Sequence, residues 1–137
     1  MVDAEVLRRR VDALLGYLDR LEAFRSDDRE HFVKDRDRHH LAERYLHLAV
    51  ESALDIANHL IADAGFEAPE TYRDAFAILA RHGVLDADLG KRLQLWAGMR
   101  NVLVHLYIDI DHGMTWEAIR NDLEDLRRLA AIAAAKL

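Results

Sequence analysis

The stretch Arg100-Asn101-Val102-Leu103-Val104-His105-Leu106-Tyr107 sets side chains able to handle a phosphate or move a proton inside an otherwise apolar run. Arginine is permanently charged and presents a planar fork of donors that fits phosphate oxygens. Histidine both takes and gives a proton near neutral pH. Asn101 adds a polar group directly beside the arginine, and Tyr107 a hydroxyl two residues beyond the histidine. The set points to phosphate chemistry. On a regular helix Asn101 and His105 share a face, whereas Arg100 and His105 are five residues apart and lie roughly 140° from each other around the axis. Those two converge on one phosphate only if the helix end distorts or if they flank a groove. One histidine and one arginine are also a thin set for cleaving a phosphodiester without a metal, which calls for an acid and a base beside a charge stabiliser. A two-fold dimer that set the stretch against its copy would place two of each in one cleft, so the inventory predicts a homodimer.

The chain that must position these residues has 137 of them, enough for a single domain over 1–137 with its own core. About half of it is hydrophobic (51%) and a third charged (32%), with one proline, Pro69, and no apolar run of membrane-spanning length. The N-terminus carries acidic residues early and lacks a compact apolar segment with a small-residue cleavage site, so a soluble, cytoplasmic protein is expected, with no membrane partner. The absence of cysteine excludes disulfides, thiol nucleophiles and cysteine-ligated metals. A net charge of −6 argues against an extended, non-specific nucleic-acid coat. It leaves room for a local basic cleft, since cationic residues gather from Lys34 to Arg44 and again at Lys91, Arg92 and Arg100.

Apolar residues recur at helical spacing throughout and strand alternation is absent, which predicts an all-α, up-and-down antiparallel bundle of four to five helices. A first helix spans about 3–24. Asp27, with Glu30 three residues on, reads as the N-cap of a second helix reaching Ala64, roughly 50 Å long and so projecting or bent in its polar first half. Gly65 stops it. Thr71 caps a short helix that ends at Gly83, Asp86 opens the motif-bearing helix over about 87–106, and a last helix runs from about Thr115 to Ala135. On the second helix Arg44, Glu51, Asp55 and Asn58 or His59 form one polar stripe. The stripe is either a solvent-facing edge or the wall of the cleft that holds Arg100 and His105, with Glu51 or Asp55 pairing to Arg100.

Taken singly, each residue also has a structural reading. His105 suits a helix C-terminus, whose dipole favours a cation there, and Tyr107 suits a packed aromatic with a wet hydroxyl. Asp35 and His39 share a helix face near Asp37 and His40, yet metal sites need three or four supported ligands, and this stretch reads as a solvated charge run. No metal or other cofactor is expected. Trp96 and Trp116 sit at core spacing and read as packing.

The run Arg100, Asn101, three residues, His105, one residue, Tyr107 resembles the R-x4-H-x-Y signature of the HepT-type HEPN toxins. The likeness extends to the blocks at 49–65, 69–85 and 97–111, in the order and spacing of that family's helices. The resemblance implies a HEPN-like homodimer acting as a metal-independent ribonuclease, the toxin of a two-gene module whose antitoxin is a minimal nucleotidyltransferase (MNT). It implies that Arg100 stabilises the scissile phosphate, that His105 is the acid or base, that Asn101 orients them, and that a 2′,3′-cyclic phosphate forms. It further implies that Tyr107 receives AMP from the antitoxin. A bulky anion two residues from His105 would fill the cleft and repel RNA. Glu51 and Asp55 are carried as possible cleft-lining residues. The alternative is a non-catalytic module that binds a nucleotide or docks a nucleotidyltransferase through the same cleft.

Overall fold

A computed structural model describes residues 3–105 and 109–137, and all regular structure among them is helical. The first helix, α1 (Ala4–Glu22), is capped by Asp3, whose carboxylate accepts from the Glu5 amide at 2.9 Å. Its buried residues Leu7, Val11, Leu14, Leu18 and Leu21 step by four and three, drawing one apolar stripe along the helix. That stripe packs against the long central helix and the last helix of the chain.

The expected continuous helix from 29 to 64 is two helices. α2 (Arg29–Lys34) and α3 (Arg36–Ala64) meet at Asp35, which leaves helical geometry (φ −86°, ψ 103°) and caps α3 by accepting from the Arg38 amide at 3.1 Å. The bend turns Phe32 into the core, fully buried, and lays α2 against the helix that follows the motif. The cap of α2 also moves by one residue. Asp28 accepts from the His31 amide, while Asp27 is taken by the Arg38 guanidinium, with Nη2 donating to Oδ1 at 2.7 Å. An aspartate held by an arginine eleven residues away is not free to cap its own helix.

Gly65 ends α3 at φ 72°, a left-handed conformation that costs glycine little. Thr71 Oγ1 then accepts the Asp74 amide at 3.0 Å and starts α4 (Tyr72–Arg81), and Asp86 Oδ1 accepts the Leu89 amide at 2.8 Å to start α5 (Ala87–His105). α4 and α5 form a tight pair: a Cβ on Gly90 of α5 would stand 2.7 Å from the Ala80 Cβ of α4. The expected last helix is likewise divided, into α6 (His112–Asn121), capped by Asp111, and α7 (Leu123–Ala134), with Asp122 (φ −120°, ψ 3°) between them. Both tryptophans pack: Trp96 is buried with its Nε1 donating to Asp125 Oδ2 at 3.3 Å, and Trp116 Nε1 donates to the Asp27 carbonyl at 2.9 Å. The five expected helical segments are thus seven helices among the described residues, with the core lying between α1, α3, α5 and α7. Among the described residues, no helix is long and apolar enough to cross a membrane.

Candidate active site

The motif occupies the last turns of α5, the helix squeezed between α3 and α4, and its chemistry is set by what those two neighbours present. Arg100 Nε donates to Glu51 Oε1 of α3 at 2.6 Å, and the guanidinium lies over the ring of Tyr72, the first residue of α4, with Cζ 4.5 Å from the ring centroid. The side chain is only 16% exposed. One edge and one face of the guanidinium are therefore fixed, by an ion pair and by a cation–π contact. Among the described residues the two terminal nitrogens donate to no other group, and they form the pair of parallel donors that suits a phosphate.

Glu51 faces two partners through one oxygen. Its Oε1 also stands 3.4 Å from His47 Nε2, one helical turn back on α3, and His47 Nδ1 in turn lies 3.2 Å from Arg44 Nη1. A guanidinium can only donate, so Nδ1 accepts and the ring proton sits on Nε2, facing Glu51. Arg44, His47, Glu51 and Arg100 thus form one polar line from the surface of α3 to the motif. Of the polar stripe read from the sequence, Glu51 meets Arg100, whereas Asp55 pairs with Arg10 of α1 at 3.5 Å and faces that helix. His59 is buried, and Asn58 is exposed.

Asn101 and His105 are exposed on α5. Asn101 lines a cleft of about 710 Å³ with Asn58, Thr71, Tyr72 and Arg73. His105 is the final residue of α5 and makes no hydrogen bond or ion pair with another described residue, Arg100 included. The structure does not bring Arg100 and His105 together within one chain. Tyr107 lies outside the described residues.

The start of α6 is anchored firmly. His112 Nδ1 donates to Glu43 Oε2 at 2.7 Å, Thr115 Oγ1 donates to the same oxygen at 2.7 Å, and the His112 ring stacks on buried His39 with centroids 3.6 Å apart. The start of α6 is thereby locked to α3 on the far side of the motif. These residues also account for most of the charge run weighed as a metal site. Asp35 is a helix cap, His39 is buried with Nδ1 3.0 Å from the Phe32 carbonyl, and His40 lines a second cleft. No group of three or more metal-ligating side chains is gathered among the described residues.

Sequence reasoning missed His47 and Tyr72. His47 stands four residues before Glu51 and three after Arg44, a spacing that places all three on one helix face. That signal was present. Nothing local marks Tyr72, which reaches Arg100 only because α4 folds back onto α5.

The chain is similar to known proteins over most of its length. The chain is 28% identical over 118 residues to the tRNA nuclease HepT of Aphanizomenon flos-aquae, covering 86% of this chain and 80% of that protein. It is 28% identical over 86 residues to the mRNA nuclease HepT of Shewanella oneidensis, covering 63% of this chain and 65% of that one. A solved complex of a tri-AMPylated Shewanella oneidensis HEPN toxin with an MNT antitoxin contains the same fold: TM-score 0.87 at 23% identity, over 98% of this chain and 99% of that one. YutE, a cytosolic protein of unknown function from Bacillus subtilis, shares it at a TM-score of 0.77 and 24% identity, over 95% and 90%. At such identities the structural likeness establishes the all-α HEPN fold. With residues 14–132 matched by the model of the HepT-like ribonucleases and the arginine–histidine motif closing its fifth helix, the chain belongs to that family.

Proposed function

We propose that the protein is a metal-independent endoribonuclease, the toxin of a module with an MNT antitoxin, working as a homodimer whose cleft joins two copies of the motif. The observation that carries this reading is Arg100: it is anchored through Nε and one face, with its terminal nitrogens free among the described residues, on a chain of the HepT-like family. The terminal nitrogens would hold the scissile phosphate and stabilise the charge that gathers on its oxygens in the transition state. His105, exposed and uncommitted among described residues, would serve as base toward the ribose 2′-hydroxyl, and His105 of the second copy as acid toward the departing 5′-oxygen. The 2′-oxygen attacks phosphorus, the P–O5′ bond breaks, and the products are a 2′,3′-cyclic phosphate and a 5′-hydroxyl. Asn101 would orient the phosphate beside Arg100.

The dimer is favoured by two features. The 140° offset, roughly, between Arg100 and His105 leaves one chain with half a site. α5 also carries apolar residues around its whole circumference, with Leu95 68% exposed, and a helix of that kind is normally covered on both sides. Tyr107, two residues beyond His105, is the hydroxyl that the antitoxin would convert to an AMP ester, placing a bulky anion at the cleft. The encounter with RNA and antitoxin would take place in the cytoplasm.

The test is cleavage of total RNA by the purified dimer in excess EDTA, for the wild type and for His105→Ala. Cleavage by the wild type, lost by at least about a hundredfold in the variant at unchanged melting temperature, is expected. Full activity in His105→Ala would remove the histidine from the mechanism. Binding of RNA or nucleotide with no cleavage by the wild type would favour a non-catalytic module.

A further inference from the structure

A second cleft, of about 310 Å³, opens on the α3 side of the motif, lined by His40, Glu43, Arg44, His47, Leu103 and Ile110. In a chain with a net charge of −6, the one exposed charged side chain of this cleft is a cation. Arg44 is exposed and has no carboxylate within ion-pair distance among the described residues, its one polar partner there being the ring nitrogen of His47. Ten of the other fifteen arginines are each within 4 Å of a carboxylate, and of the remaining five, Arg20, Arg29, Arg36, Arg73 and Arg120, none lines this cleft. The one carboxylate on the cleft wall, Glu43, is 6% exposed and committed through Oε2 to His112 and Thr115. An uncompensated guanidinium at the mouth of a cleft, with two imidazoles beside it, is an anion site in its own right.

Its position says which anion. Arg44 and Glu51 are two turns apart on one face of α3, roughly 10 Å along the axis, and Glu51 holds Arg100. Arg44 is too far along to share the phosphate at Arg100. It is in line with it, on the same polar ridge, where a strand laid across α3 would put another of its phosphates. Leu103 and Ile110 give the cleft an apolar wall beside these polar groups.

We propose that Arg44, with His40 and His47 beside it, forms a second phosphate subsite that holds the backbone of single-stranded RNA on one side of the scissile phosphate. This rests on the ribonuclease reading for its substrate, and it predicts that backbone contacts continue past the motif along α3.

The experiment measures binding of a fluorescent single-stranded RNA to the full-length dimer across a salt series, in a His105→Ala background so that the probe stays intact. Adding Arg44→Gln should weaken binding about tenfold at low salt and flatten the slope of log affinity against log salt by about 0.7, the value of one lost phosphate contact on a single strand. Adding Arg44→Lys, which keeps the charge, should restore the slope. An Arg44→Gln slope equal to its parent's overturns the subsite, as does weaker binding with an unchanged slope, which marks a structural effect. The ribonuclease reading fails separately: a wild type that cleaves nothing, with the slope still sensitive to Arg44, leaves the subsite standing without the catalysis. A protein that binds no RNA at all overturns both.

Discussion

Glu51 acts on Arg100 in two ways that two substitutions separate. Its carboxylate holds Nε at 2.6 Å and so orients the guanidinium, and its charge lies beside the position a phosphate would occupy. A phosphate on the terminal nitrogens of Arg100 would sit roughly 6 Å from that carboxylate, where like charges repel by about 0.7 to 2.8 kcal/mol for effective dielectrics of about 80 to 20. Glu51 is 36% exposed, so screening places the value toward the lower end, about 1 kcal/mol or about fivefold in affinity. Glu51→Gln keeps an oxygen for Nε and removes the charge. It should lower KM for an RNA oligonucleotide about fivefold and change kcat by less than about twofold. Glu51→Ala removes the anchor as well, leaving the face of Tyr72 to hold the guanidinium, and should lower kcat by at least about tenfold through misplacement of the donors. A partly exposed ion pair contributes about 0.5 to 1 kcal/mol, so the alanine variant should melt about 2 to 4 °C lower. Steady-state cleavage of a fluorogenic oligonucleotide, beside thermal melts, reads all of these. Identical kinetics for the two variants would show that Glu51 does not position Arg100. A raised KM in Glu51→Gln would refute the charge argument.

Three further outcomes are expected. Incubation with ATP and the cognate antitoxin should add AMP to Tyr107 and silence cleavage; peptide mass spectrometry finding the mass elsewhere, or nowhere, removes Tyr107 as the target. Burial raises the Asp125 carboxyl above its ordinary value of 3.8, against weaker opposing effects of the Trp96 hydrogen bond and Arg92. A raised native pKa means stability that is present below the unfolded pKa and lost as pH rises through the folded one. Asp125→Asn, which keeps an acceptor for Trp96, should therefore gain on the wild type in melting temperature as pH rises from about 4, the unfolded value; a difference that does not change with pH counts against it. Gly90→Ala sets a Cβ 2.7 Å from the Ala80 Cβ, an overpacking cost of about 1 to 3 kcal/mol that outweighs the roughly 1 kcal/mol gain in helix propensity, so net destabilisation by about 1 kcal/mol should appear in denaturant melts.

What the sequence determined by itself is what local chemistry determines. The caps at Thr71 and Asp86 and the stop at Gly65 satisfy backbone groups within a few residues, so they hold wherever the helix ends up. The apolar stripe of α1 is a matter of period, and the types and order of Arg100, Asn101, His105 and Tyr107 were enough to show the family resemblance. The breaks at Asp35 and Asp122 were not legible, because an aspartate inside a helical pattern costs little until burial of a neighbour such as Phe32 pulls the chain aside. Choosing Asp28 over Asp27 as a cap depended on Arg38, eleven residues on. The sequence left Glu51 and Asp55 as equal partners for Arg100, and only the packing of α1, α3 and α5 sends Asp55 to Arg10 and Glu51 to Arg100. Tyr72 joins the site for the same reason: contacts between residues 28 or 49 positions apart are decided by which helix faces meet, and a periodic pattern says that a face is buried without saying against what.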